Sequence, residues 1–234
     1  MDGEARDPAE QLPLFSAPSY PEPPVVVPAP ALPLRLGVLV SGRGSNLRVL
    51  LEACAAGALP ATVVAVVSNH SEAPALEIAA EYGVAATAVP RAGCPSRLAQ
   101  QQQMADFLDA ADAQLIVCAG FDRVLEAAIC EHYLGRIINL HPSLLPAFGG
   151  GLHAIADALA YGVKVTGVTV HFVTTDIDAG PIILQEAVPV LPDDTLAALT
   201  ERVQVVEHRL LPAAVELYAQ GRLQVEGRRV LIRP

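Results

Sequence analysis

The sequence predicts an α/β protein built on a doubly wound, mostly parallel sheet with antiparallel later strands. Two observations carry that expectation. From Leu36 onward short apolar runs alternate with longer amphipathic stretches, the order left by successive strand and helix units around one sheet. Hydrophobic residues make up 52% of the 234, enough to fill the core of one domain of about 200 residues with an appendage.

The appendage comes first. Residues 1–34 hold nine of the chain's twenty prolines, and five acidic residues there face only Arg6. Proline removes backbone donors and such a composition buries little apolar surface, so a disordered tail is expected over 1–34 and a folded domain over 35–234. LGVLV (36–40), VVAVV (63–67), LIVCA (115–119) and IINL (137–140) read as buried strands, with a weaker one near Val84 to Val89. Short apolar runs between turn signals fit strands covered on both faces. Helices are expected around 46–56, 72–82, 97–111 and 125–133, with a short one near 154–160. VTGVTVHFV (165–173) and PIILQEAVPV (181–190) alternate, as more exposed antiparallel strands do. Asp193 or Asp194 is expected to cap a long amphipathic helix that reaches about Ala219 and is ended by Gly221. The final LQVEGRRVLIRP suits a hairpin about Glu226–Gly227.

Composition excludes several classes of function. The formal net charge is −10, and over 35–234 there are still only 14 basic against 20 acidic residues, which argues against a partner gripped through nucleic-acid phosphates. No apolar stretch approaches the roughly 20 residues that span a bilayer, and the N-terminus lacks the basic-then-apolar design of a signal peptide, so a cytoplasmic protein with no membrane partner is expected. Cys54, Cys94, Cys118 and Cys130 show no metal-binding spacing, so they read as reduced, packed thiols.

Ligands of open α/β sheets bind beyond the carboxyl ends of the strands, and those ends carry the chemistry here. In RIINLHPSLLPAFGGG (136–151), Asn139 and His141 lie two residues apart on a strand and so project to one side. Pro142 and Pro146 stiffen the chain beyond them, and Gly149 to Gly151 permit close backbone approach to a bound molecule. SGRGSNL (41–47) follows the first strand; Gly44, Ser45 and Asn46 open a helix whose free amides suit an anion, although a plain capped turn fits the same letters. Leu47 stands where a dinucleotide fingerprint needs its third glycine, and no GK[ST] occurs, so a monophosphate is the better guess. AGFDRVL (119–125) offers an aromatic wall, a cation and an apolar shelf, while HFVTTDIDAGPI (171–182) sets Asp178 on a loop. Alone Asp178 is a solvated acid; beside His141 it would orient the imidazole and favour its charged form.

SGRGSNL, AGFDRVL, INLHPSLLP, GVTVHFV with DIDAGPI, and RVQVVEH (202–208), in that order between about Leu36 and Leu223, resemble the phosphoribosylglycinamide formyltransferase family of purine synthesis. HPSLLP by itself is shared with other formyl transferases; its combination with GRGSN and VQVVEH is far more specific. The resemblance implies a catalytic trio of Asn139, His141 and Asp178. It implies a ribonucleotide site in which Gly44, Ser45 and Asn46 hold the phosphate, Gln204 lies near it and Glu207 takes the ribose hydroxyls. Arg97 and Arg123 match positions that meet the folate's glutamate tail, and Asp122, Arg123, Val124 and Leu125, with Asn139, match the folate-binding set. The implied co-substrates are 10-formyltetrahydrofolate and glycinamide ribonucleotide, with no metal and no covalent intermediate, in a monomer or homodimer.

Three departures from the family pattern stand out. Asp122 occupies a position where Met is usual, which makes the pocket rim more polar; the FGGGLH loop (148–153) is one residue longer than in the shorter members; and Ala156 replaces a common polar residue. A formyltetrahydrofolate hydrolase would share the trio but carry His in place of Pro142, and a transferase acting on initiator tRNA would carry a further basic C-terminal domain. A non-catalytic nucleotide-binding protein on the same fold is the remaining alternative.

Overall fold

The structure is a computed structural model that describes the backbone of residues 25–26 and all of residues 33–234; most of the expected tail lies outside them. Among the described residues ten strands form one sheet: β1 (Val25–Val26), β2 (Leu34–Val40), β3 (Ala61–Ser68), β4 (Ala85–Ala88), β5 (Leu115–Cys118), β6 (Ile137–His141), β7 (Val165–Phe172), β8 (Ile182–Pro189), β9 (Leu223–Glu226) and β10 (Arg229–Ile232). Their order across the sheet is β1-β9-β10-β8-β7-β6-β5-β2-β3-β4. The helices are α1 (Ser45–Ala55), α2 (Pro74–Glu81), α3 (Arg97–Ala110), α4 (Ala127–His132), α5 (Ala154–Tyr161) and α6 (Leu196–Ala219).

The five strands from β4 to β6 run parallel, and β7 and β8 then join antiparallel as expected, but only β8 keeps the more exposed character that alternation suggested, since β7 is buried from Thr166 to Phe172. Strand alternation sends Leu36, Val38 and Val40 of β2 to one face, where they pack with α1, α2 and α6, and Leu39 to the other, with α3 and α4. Gly37 is needed on that second face, because a Cβ there would meet Leu108 Cδ2 at 2.6 Å. Since β2 lies between β3 and β5, the order reverses beside it and opens a crevice at the carboxyl ends. That crevice positions the site. No helix among the described residues is long and apolar enough to cross a membrane, and all four cysteines are unpaired.

Three expectations need correction. The ordered sheet starts before Leu36: Leu34 is fully buried in β2, and Val25 and Val26 pair with Val225 and Gln224 of β9, so the proline-rich segment does contribute a short ladder. Such pairing needs only two proline-free residues. Neither Asp193 nor Asp194 caps α6; Thr195 does, its hydroxyl accepting Ala198 N–H at 3.2 Å. Asp194 is instead held by Arg202 through two bonds of 2.7 and 2.8 Å and by Leu191 N–H. Finally, α4 starts at Ala127 rather than 125, because Gln101 Oε1 takes Glu126 N–H and Glu126, the residue before the helix, is extended.

Candidate active site

A cavity of about 500 Å³ opens at the carboxyl ends of β5 and β6, within the size range of small-molecule sites. It brings together Arg97, Asp122, Arg123, Val124, Leu125, Asn139, His141 and Asp178 from four separate segments. Phe121, Leu140 and Val173 add apolar surface. Arg97, at the first turn of α3, is engaged by the carboxylate of Glu126.

Asn139 and His141 share one face of β6. Opposite Asn139, in antiparallel register, stands His171 of β7. Its Nδ1 donates to the Phe172 carbonyl at 2.8 Å, so Nε2 has no proton in the neutral ring and accepts from Asn139 Nδ2 at 3.2 Å. This fixes the amide's orientation and leaves its second N–H for a ligand. Burial pushes the His171 pKa down, against the upward effect of the Phe172 carbonyl and Asp178, and the net direction favours the neutral ring. Sequence reasoning quoted His171 within its motif but gave it no role. The available signal was its place on an alternating strand, and recognising it required the register.

His141 Nε2 donates to the Phe148 carbonyl at 3.0 Å, and Nδ1 lies 3.6 Å from Asp178 Oδ2. That separation is an ion-pair distance, longer than a hydrogen bond. Asp178 Oδ2 also accepts Gly150 N–H at 2.8 Å, which ties the glycine loop to the acid; Oδ1 lies 3.7 Å from His171 Nε2. Asp178 thus stands between two imidazoles with its side chain only 14% exposed.

A second groove begins at the amino end of α1, where no side chain caps the helix. Ser45 and Gln204 line it with Arg43, Arg48 and His208, the last three being residues that sequence reasoning did not single out. First-turn amides with no bond among the described residues, together with the Arg43 guanidinium, favour an anion, while Arg48 is already paired with Glu81 at 3.0 Å. Asn46 turns its side chain inward and donates to Glu207 Oε2 at 3.1 Å, so its own contribution to the groove is the backbone. Burial raises the Glu207 pKa, with Asn46, His208, Arg43 and His141 opposing it. Among the described residues, Asn46 Oδ1 and His208 Nε2 are buried polar atoms with no hydrogen-bond partner. Gly44 adopts φ 78, and a Cβ there would sit 2.7 Å from Ala75 Cβ and 2.9 Å from its Cα. Its glycine is therefore required by α2 as well as by any anion.

Comparison with known proteins agrees with this architecture. The profile of the family described as "Formyl transferase" matches residues 34–215. The chain belongs to the formyl transferase family. Phosphoribosylglycinamide formyltransferase of Mycobacterium tuberculosis (strain ATCC 25618 / H37Rv) is 49% identical over 205 residues, covering 88% of this chain and 94% of that protein. The crystal structure of glycinamide ribonucleotide transformylase 1 from Symbiobacterium toebii superposes with a TM-score of 0.84 at 47% identity, covering 86% of this chain and 94% of that one. The human trifunctional purine biosynthetic protein adenosine-3 is 40% identical over 191 residues, 82% of this chain and 19% of that protein. Within the family, these likenesses put the chain in the phosphoribosylglycinamide formyltransferase branch.

Proposed function

We infer that the protein transfers a formyl group from 10-formyltetrahydrofolate to the amine of glycinamide ribonucleotide, a step of purine synthesis. The observation that carries this reading is the convergence of Asn139, His141 and Asp178 in a cavity walled by 121–125, next to an uncapped helix end flanked by two arginines. The lining of the cavity supports a folate: Phe121, Val124, Leu125, Leu140 and Val173 offer apolar surface for a flat ring, and Arg97 and Arg123 offer cations for an anionic tail. The α1 end, with Ser45, Asn46 and Gln204, holds the ribonucleotide phosphate, and Glu207 takes the ribose hydroxyls.

Transfer requires the neutral amine to attack the formyl carbon, forming the new C–N bond while the carbonyl electron pair moves to oxygen. The Asn139 N–H that His171 leaves free receives that charge together with His141; one such preorganised donor is typically worth about 2.7–4 kcal/mol of barrier. Asp178 holds His141 at 3.6 Å and offsets the positive charge that passes through the ring as the proton moves. The proton released by the amine is relayed through His141 and Asp178 to the folate nitrogen as the old C–N bond breaks, so protons balance overall. Such a positioned acid and base contributes about 10²–10⁴ in rate.

Loss of formyl from 10-formyltetrahydrofolate is the deciding measurement, taken with and without glycinamide ribonucleotide. Turnover is expected only with the ribonucleotide present. Equal turnover without it would make the protein a hydrolase, and no turnover at all a binding protein.

A further inference from the structure

Between Phe121 and Leu125 the chain has no regular structure, and every hydrogen bond that its backbone makes among the described residues comes from a side chain. Gln101 Nε2 donates to the Val124 carbonyl at 2.9 Å, and Asp122 N–H donates to Ser41 Oγ at 2.9 Å. A cavity wall built from such a loop keeps its shape only as well as those side chains hold it.

At Asp122 the tether becomes a closed ring. The Ser41 hydroxyl, with one proton to give, lies 2.6 Å from Asn69 Oδ1 and 3.0 Å from Asp122 Oδ1, and Asn69 Nδ2 donates to Asp122 Oδ1 at 2.7 Å. The ring joins three strand ends, since Ser41 follows β2, Asn69 follows β3 and Asp122 lies beyond β5. His70 Nε2 donates to Asp122 Oδ2 at 3.1 Å, which puts its proton on Nε2 and makes the 3.3 Å approach of Asn69 Nδ2 a meeting of two donors, not a bond. Arg123 lies 3.7 Å from Oδ1. Burial pushes the Asp122 pKa up, but His70, Asn69, Ser41 and Arg123 outweigh it and hold the carboxyl below its ordinary value. Both carboxylate oxygens therefore serve the protein's own donors. The acid lines the cavity with both oxygens already engaged.

We propose that Asp122 is a positioning residue: its ring with Ser41 and Asn69, tightened by His70, fixes residues 121–125 as the wall against which the folate ring packs. The same ring ties that wall to Ser41, which immediately precedes the glycine turn of the nucleotide groove. The proposal rests on the folate-site reading given above.

The test is steady-state formyl transfer by wild type, Asp122→Asn, His70→Ala and His70→Gln, with melting temperatures measured alongside. Asp122→Asn keeps the size of the side chain but sets an N–H group against Asn69 Nδ2 or His70 Nε2. It should raise the folate KM about tenfold, the scale of one lost hydrogen bond, more than it lowers kcat or changes the ribonucleotide KM. His70→Ala should raise the folate KM about threefold, as befits an exposed pair, and His70→Gln, which retains a donor, should restore most of it. An unchanged folate KM in Asp122→Asn, or an equal rise in both KM values with a large fall in melting temperature, would overturn the proposal while leaving the functional reading intact. A wild type that transfers no formyl group would remove that reading and this proposal together.

Discussion

Replacing Asp178 by Asn removes one negative charge and little else. Asp178 adopts φ 50, in the left-handed region that Asn tolerates well, and an amide oxygen can still accept the Gly150 N–H now held at 2.8 Å. His171 is held neutral, so the lost charge acts chiefly through His141. At 3.6 Å and an effective dielectric of about 20, a carboxylate and a protonated imidazole attract by about 4.6 kcal/mol. Both side chains are largely closed to water, at 7% and 14% exposure, which limits screening. If between half and all of this attraction is expressed only in the transition state, kcat falls by about 50-fold to about 2,000-fold while KM values stay within about threefold. Steady-state formyl transfer, with circular dichroism and a melting curve to confirm the fold, measures the effect. A correctly folded Asp178→Asn enzyme whose kcat lies within threefold of wild type would refute the reasoning and leave Asp178 as a tether for the glycine loop.

Gly44→Ala should cost about 2–4 kcal/mol of stability, from positive φ and from crowding the Ala75 backbone at 2.9 Å. Chemical denaturation checks it, and an unchanged midpoint would show that α2 yields freely. For His171 the folded-state pKa lies below the unfolded value, so its contribution to stability is complete above about pH 6.5 and declines as pH falls through that value towards the folded pKa. Unfolding free energy measured from pH 7.5 to 5 should therefore fall more steeply in wild type than in His171→Gln; parallel curves would contradict a buried neutral imidazole.

Much of the sheet was legible because burial on two faces leaves continuous apolar runs such as VVAVV and LIVC, whereas VTGVTVHF alternates although β7 is buried on both faces, its Thr169 and His171 being taken up in hydrogen bonds. Most site residues quoted from motifs sit at or just beyond strand or helix ends, where local sequence decides the turn, while Gln204 and Glu207 lie midway along α6. What stayed hidden depended on distant partners. His171 acquires its role from a residue 32 positions earlier in the chain. Thr195 and Asp194 are both good capping residues, and only the position of Arg202, one face further along α6, decides which is drawn away. Val25 and Val26 find their ladder in a strand two hundred residues on. Gly44 looked like half of an anion loop, and nothing in the local letters announces the approach of Ala75.

The pairing of Asn139 with His171 also makes formyl transfer a reporter of strand register. Sliding β7 by one residue against β6 would turn His171 to the opposite face of the sheet and bring Val170 or Phe172 opposite Asn139. The amide would then lose its aim although secondary structure and most of the core were already in place. During refolding, recovery of activity should follow recovery of helical signal, and the interval between them dates the moment at which these two strands lock.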